Sequence, residues 1–225
     1  MNYKGFLFDL DDTLIDRKNA YEYMYRIFYD SRKEINSSMT WEHAKEFFWN
    51  LSPNGAADQK KSIEAINKKW PSIPNDHVEH KRFYFETMIQ GLNPLPNSYD
   101  LIKKMNSLDI KWGIVTNGDH YQFKKIEKVG WEKLIPFLLA SDIYGSKKPD
   151  PKIYHEAVRL LDIGINKEDY SEILFIGDNP YTDIMGAYNV GMKTAWIKMD
   201  NRDYPNDAPY PDLIINNVEE LSELF

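Results

Sequence analysis

Short apolar runs separated by amphipathic stretches occur at the start of the chain and again through its second half. KGFLF opens as an apolar strand. From Pro94 onward SYDLIKKMNSL reads as a helix, DIKWGIVTNG as a strand running into a turn, YQFKKIEKV as a helix and IPFLLAS as a strand. PKIYHEAVRLL then reads as a helix with Pro151 at its first position, where the missing N–H costs nothing. SEILFIGD is a strand, YTDIMGAYNV a helix, KTAWI a strand and PDLIINN a last short strand. Continuous apolar strands are buried on both faces, and strands alternating with amphipathic helices build a parallel sheet covered on either side. The expectation is an α/β, Rossmann-like core.

Between these parts the period changes. Tyr21, Met24, Tyr25 and Phe28 recur at helical spacing, as do Ala44, Phe47, Phe48 and Leu51. Thr40 and Asp58 stand where helix N-caps are expected, Pro71 and Pro74 mark a break, and a last helix runs from Asp76 to Gln90. No strand-like alternation interrupts this block. It predicts an all-helical insertion of about four helices, with domains at 1–16 plus 94–225 for the core and 17–93 for the insert. Met199 to Asp212, rich in Pro, Asp and Asn, predicts a mobile loop.

Composition narrows the function. The 225 residues carry 28 Lys and Arg against 35 Asp and Glu, a net charge of −7, so no basic field exists to hold a nucleic-acid backbone. Cysteine is absent, which removes disulfides, thiolate metal sites and thiol nucleophiles together. The N-terminus turns acidic at Asp9 before a signal-peptide core could form, and no apolar run approaches the roughly 18 residues of a membrane span. A cytoplasmic protein acting on a small ligand is expected, without nucleic-acid or membrane partners; oligomeric state is not legible.

In open α/β sheets ligands gather beyond the carboxyl ends of the strands. Those positions hold Asp9 and Asp11 after the first strand, Thr116 and Asn117 after the second, Lys147 and Lys148 in the loop after FLLAS, and Asp178 after ILFIG, with Asp183 following. Like charges at 4 Å repel by roughly 1 to 4 kcal/mol per pair in water-like to surface-like media, so the crowded aspartates call for a cation. A calcium loop does not fit DLDDTL, because Leu14 stands where such a loop requires glycine.

FLFDLDDTL, GIVTNG, KKPDPKIY and FIGDNPYTDIMGA resemble, in order, the four motifs of the haloacid dehalogenase superfamily, in its phosphatase branch. The resemblance spans residues 4–15 and 94–198, and the helical insert sits where that superfamily places a helical cap. It implies a phosphomonoester hydrolase acting on a small phosphorylated metabolite, a nucleoside monophosphate or a sugar phosphate, with Mg²⁺ as cofactor. Asp9 would be the nucleophile forming an aspartyl phosphate, and Asp11 the general acid and base. Mg²⁺ would be held by the Asp9 side chain, the Asp11 carbonyl and Asp178, with Asp183 a ligand or a partner of the ligands. Lys148, ahead of Lys147, would neutralise nucleophile and phosphate, while Thr116 and the backbone near Asn117 would hold phosphoryl oxygens. Asp12 is expected to be structural or merely tolerated.

Other readings remain at this point. A phosphomutase shares these motifs, and a phosphonate-cleaving relative would need an imine-forming lysine, for which Lys33, Lys45, Lys60 and Lys61 are available. A phospho-receiver signalling module also clusters aspartates, a threonine and a lysine around Mg²⁺, but it lacks a helical insertion. Tyr21, Tyr25, Phe48, Trp49 and Phe83 either stack on a nucleobase or form the insert's own core.

Overall fold

The computed structural model describes residues 3–52, 58–164, 166–199 and 203–224. Arg17–Leu92 forms one compact unit, and the chain on either side of it forms the other. Residues 200–202 of the expected mobile loop lie outside the described residues.

The second of these units is built on six parallel strands: β1 (Gly5–Phe8), β2 (Trp112–Thr116), β3 (Leu138–Ala140), β4 (Ile173–Gly177), β5 (Lys193–Ile197) and β6 (Leu213–Ile215). Their order is β3-β2-β1-β4-β5-β6, with Leu7 of β1 paired between Gly113 and Phe175. The chain therefore lays down strands on one side of β1, then returns and builds outward on the other. That reversal makes the carboxyl ends of β1 and β4 a topological switch point, where a crevice opens between loops that leave in opposite directions.

The strands are short and apolar because both faces are covered: every residue of β1, β2 and β4 is buried. Leu7, Val115 and Phe175 pack with Ile153, Tyr154, Ala157 and Leu161 of the helix Pro151–Leu161 into one core cluster. Asp150 caps that helix by accepting from the Lys152 N–H, with Pro151 at its start.

The helical unit contains α1 (Arg17–Asp30), α2 (Lys33–Asn36), α3 (Trp41–Trp49), α4 (Gln59–Lys69) and α5 (His77–Gly91). The single turn of α2, which buries Ile35, is the helix that periodicity could not show, since one turn carries no period. Asp58 and Asp76 cap α4 and α5, each accepting from two backbone N–H groups. Thr40 does not cap α3 through its side chain; its hydroxyl lies 3.2 Å from His43 Nδ1 instead. Gly91 closes α5 from within rather than beyond its end.

Tyr21, Tyr25, Phe28 and Phe48 are spent on the interior of this unit. Tyr25 and Phe48 stack at 4.3 Å with planes 12° apart, Tyr21 meets Tyr25 edge-on at 4.8 Å, and the Tyr21 hydroxyl donates to the Phe48 carbonyl. Trp49 and Phe83 extend the same cluster against Tyr21 and Phe28. The plainer reading of these rings, an internal core, accounts for them. None of Lys33, Lys45, Lys60 and Lys61 is buried, and Lys45 is paired with Glu22 at 2.6 Å. An imine-forming lysine needs a desolvated or cation-crowded setting to lose its proton, so none of the four suits that task.

Phe48→Ala should cost about 3 to 5 kcal/mol of stability in the helical unit, because it deletes the ring that stacks on Tyr25 and meets Phe28 edge-on. Denaturant unfolding followed by tyrosine and tryptophan fluorescence checks this; a loss below about 1 kcal/mol would contradict the assigned core.

Candidate active site

β1 delivers Asp9 to the switch point. Its N–H donates to the Ile176 carbonyl at 2.8 Å, which carries the β1–β4 pairing one residue past the strand. The chain then turns tightly: the N–H groups of Leu14 and Ile15 both point at the Leu10 carbonyl, and Asp12 adopts φ 58 while donating to the Ile15 carbonyl. Aspartate is among the few residues besides glycine that visit this left-handed region routinely, which gives Asp12 its structural part in the turn.

Opposite Asp9 stands Lys148. Its buried ammonium donates to Asp9 Oδ1 at 2.6 Å and to Asp183 Oδ1 at 2.7 Å. Asn117, just past β2, fixes the lysine's backbone reciprocally: its side-chain N–H donates to the Lys148 carbonyl at 3.0 Å, and its oxygen accepts from the Lys148 N–H at 2.8 Å. The Asn117 side chain is thus engaged in holding the lysine loop. Lys147, next door, is exposed. Thr116 ends β2, 1% exposed.

Asp183 arrives through a π-helical turn, Pro180–Ile184, rather than an ordinary α-helical start. The Asn179 carbonyl accepts from both the Asp183 and Ile184 N–H groups, and the Asn179 side chain caps the turn from Tyr181 and Thr182. The Tyr154 hydroxyl donates to the Thr182 carbonyl. Both Asp183 oxygens are occupied, Oδ1 by Lys148 and Oδ2 by the Asn179 N–H at 3.0 Å. A Cβ at Gly177 would lie 2.3 Å from Asp183 Oδ2, so only glycine at the end of β4 leaves room for that carboxylate. Asp178 follows, with its carbonyl accepting from the Trp196 indole at 2.8 Å.

Asp11 has a lysine of its own. Its carboxylate is gripped by Lys125 of α7 (Tyr121–Val129), the helix that follows α6 (Ser98–Ser107) and β2; the Lys125 Nζ lies 2.7 and 2.6 Å from the two oxygens. Sequence reading expected like charge to crowd Asp11, and it overlooked this lysine and its neighbour Gln122. Both lie on the buried face of α7, three residues apart, where the pattern of the helix would otherwise place apolar residues. That misplacement of polar residues was the available signal.

A haloacid dehalogenase-like hydrolase model matches residues 3–191. The chain belongs to that family. It is 31% identical to a glyceraldehyde 3-phosphate phosphatase of Pyrococcus abyssi over 87% of this chain and 81% of that one. It is 24% identical to the pyrimidine 5′-nucleotidase YjjG of Escherichia coli, over 88% and 96%. Among solved structures, the putative HAD-hydrolase YfnB of Bacillus subtilis, in a magnesium-bound form, superposes over 100% of this chain and 99% of that one with a TM-score of 0.78 at 21% identity. The resemblance in fold therefore extends over the whole chain.

The charge balance of this hydrolase's site is informative. Asp9, Asp178 and Asp183 are buried and can bring one oxygen each to within 4.8 Å of one another, while the Lys148 ammonium is shared by Asp9 and Asp183. Burial pushes the Asp9 carboxyl up to about 7, with Lys148 opposing and Asp183 and Asp11 adding to the rise. Burial works against the Lys148 ammonium too, but Asp183 and Asp9 outweigh it and hold its pKa above the ordinary lysine value. Desolvation leads the rise at Asp9, while the carboxylates of Asp183 and Asp9 keep the proton on Lys148. The lysine stays charged, and the surplus negative charge falls on Asp9. A hard divalent cation, which takes carboxylate oxygens, fits this donor set and would cancel the surplus.

In metal-free protein the raised Asp9 pKa stabilises the fold at low pH, fully below the unfolded value near 4, and this contribution is lost as pH rises through about 7. The thermal midpoint in chelator should decrease as pH rises from about 4 to about 7, and Asp9→Asn should flatten that decrease. Identical slopes for the two proteins would contradict the assignment.

Proposed function

We propose that this chain is a Mg²⁺-dependent phosphomonoesterase that works through an aspartyl phosphate on Asp9. Its substrate is a small phosphorylated metabolite, a three-carbon sugar phosphate or a nucleoside monophosphate. The observation that carries this reading is the Asp9 carboxylate, buried at the switch point 2.6 Å from Lys148 and beside Asp178. The names of the relatives, a triose phosphate phosphatase and a pyrimidine nucleotidase, support the substrate class. Among the described residues no helix is long and apolar enough to cross a membrane.

An Asp9 oxygen attacks phosphorus, and the bond from phosphorus to the leaving oxygen breaks. Asp11 gives that oxygen its proton. Asp11 then takes a proton from water, the water oxygen attacks phosphorus, and inorganic phosphate leaves as Asp9 is regenerated. Lys148 balances the charge shared by Asp9 and the phosphoryl oxygens, which the Thr116 hydroxyl and the backbone past Asn117 accommodate. Asp183 keeps Lys148 aimed at Asp9. Mg²⁺, held by Asp9, Asp178 and the Asp11 carbonyl, supplies charge stabilisation and alignment of the phosphoryl group when bound. A halide leaving group needs no proton, so the presence of Asp11 favours phosphoryl transfer over dehalogenation.

Inorganic phosphate should be released from glyceraldehyde 3-phosphate or from pyrimidine nucleoside monophosphates in the presence of Mg²⁺, and release should stop on exhaustive chelation. Asp9→Asn should lower kcat by about 10³-fold or more without unfolding the chain. Turnover by the variant within about tenfold of the native rate would rule out Asp9 as the nucleophile.

A further inference from the structure

Lys125 has no part in the reaction scheme above, yet it is buried and bonded to the acid–base group. Its side chain is 4% exposed, and its ammonium contacts both Asp11 oxygens, at 2.7 and 2.6 Å. Gln122, one turn earlier on α7, reaches Asp11 Oδ2 at 3.4 Å and donates to the Asn117 carbonyl at 2.7 Å. Room for that amide depends on Gly118: its φ is +144, and a Cβ there would lie 2.5 Å from Gln122 Nε2. Burying an ammonium with a carboxylate is a weak source of stability, since an apolar pair of similar volume serves as well or better. A fold that nonetheless keeps such a pair on an acid–base residue is holding that residue in place.

We propose that Lys125 is a positioning residue for Asp11, gripping its carboxylate from α7 and fixing it relative to the loop at the end of β2. The inference rests on the phosphoester reading above. It gives each of the two reactive aspartates its own lysine, Lys148 for Asp9 and Lys125 for Asp11, so neither carboxylate competes for the other's cation. It also ties the two halves of the reaction together. α7 begins just beyond Asn117 and Gly118, and Gln122 bonds back to the Asn117 carbonyl, so the phosphate-binding loop and the acid–base group share one rigid element.

The leaving group separates positioning from mere structure. An alkoxide needs a proton as its bond to phosphorus breaks, whereas p-nitrophenolate leaves without one, and kcat/KM reports the steps up to that departure. The comparison uses p-nitrophenyl phosphate and whichever of glyceraldehyde 3-phosphate and the pyrimidine nucleoside monophosphates the native enzyme hydrolyses best. Lys125→Met should lower kcat/KM by about 100-fold on the alkyl ester but only several-fold on the aryl ester, and Lys125→Arg should recover much of the difference. Equal losses on the two esters would overturn the proposal. Should Lys125→Met fail to fold, Lys125→Gln, which gives up the charge and shortens the side chain, carries the same comparison with a split in the same direction. A thermal double-mutant cycle reads the contact without turnover: Lys125→Met should lower the midpoint less in an Asp11→Ala background than in the native one. Equal shifts in both backgrounds would also overturn it. If the native chain hydrolyses neither ester, the phosphoester reading fails, while the thermal cycle still decides whether Lys125 holds Asp11.

Discussion

Three buried carboxylates clustered at the carboxyl ends of β1 and β4, two of them bonded to one buried lysine, are the constraint on which the rest of this site depends. Outside water such a cluster is costly unless every charge is matched, and removing one partner of a buried pair typically costs about 3 to 5 kcal/mol. Much of the local structure serves that matching. The π-helical turn swings Asp183 to Lys148 and the Asn179 N–H at once, Gly177 leaves the space that Asp183 fills, and Asn117 clamps the backbone of the lysine itself. What these devices leave unmatched is a surplus of negative charge centred on Asp9. A divalent cation and a phosphoryl group, one positive and the other negative, are the pair of ligands that such a surplus and such a lysine can hold together.

The sheet topology explains why the charges meet where they do. β1 lies at the centre, flanked by β2 and β4, so a residue just past its end faces loops arriving from both directions. Lys148 comes from the side of β2 and β3, and Asp178 and Asp183 from the side of β4. No single stretch of chain has to carry the whole charge cluster, and the site is assembled only when the sheet is. The helical unit keeps Tyr21, Tyr25 and Phe48 for its own interior, which separates the problem of folding that unit from the chemistry at the strand ends.

Much of this was legible in the sequence because an apolar strand that ends in a chemically active residue is a loud signal. KTAWI, YQFKKIEKV and PKIYHEAVRLL coincide with their elements residue for residue, and all six strands lie where apolar runs predict them. Asp9, Lys148 and Asp183 converge as their positions implied. Lys125 and Gln122 escaped because lysine and glutamine in an amphipathic helix are normally its wet face, and only the period of α7, read against its neighbours Lys124 and Ile126, shows them turned inward. The π-helical turn escaped because the inserted residue leaves no mark on hydrophobic spacing. Thr40 misled because a residue type suited to capping does not guarantee the bond when His43 offers its hydroxyl another partner.

The central claim is that the carboxylate cluster is built to take one divalent cation. Calorimetric titration of Mg²⁺ into metal-free protein tests it most directly, with no substrate or turnover involved. One saturable site per chain, abolished by Asp178→Asn and by Asp9→Asn alike, is the result this account predicts. Absence of saturable binding, or a site that survives both substitutions, would contradict it.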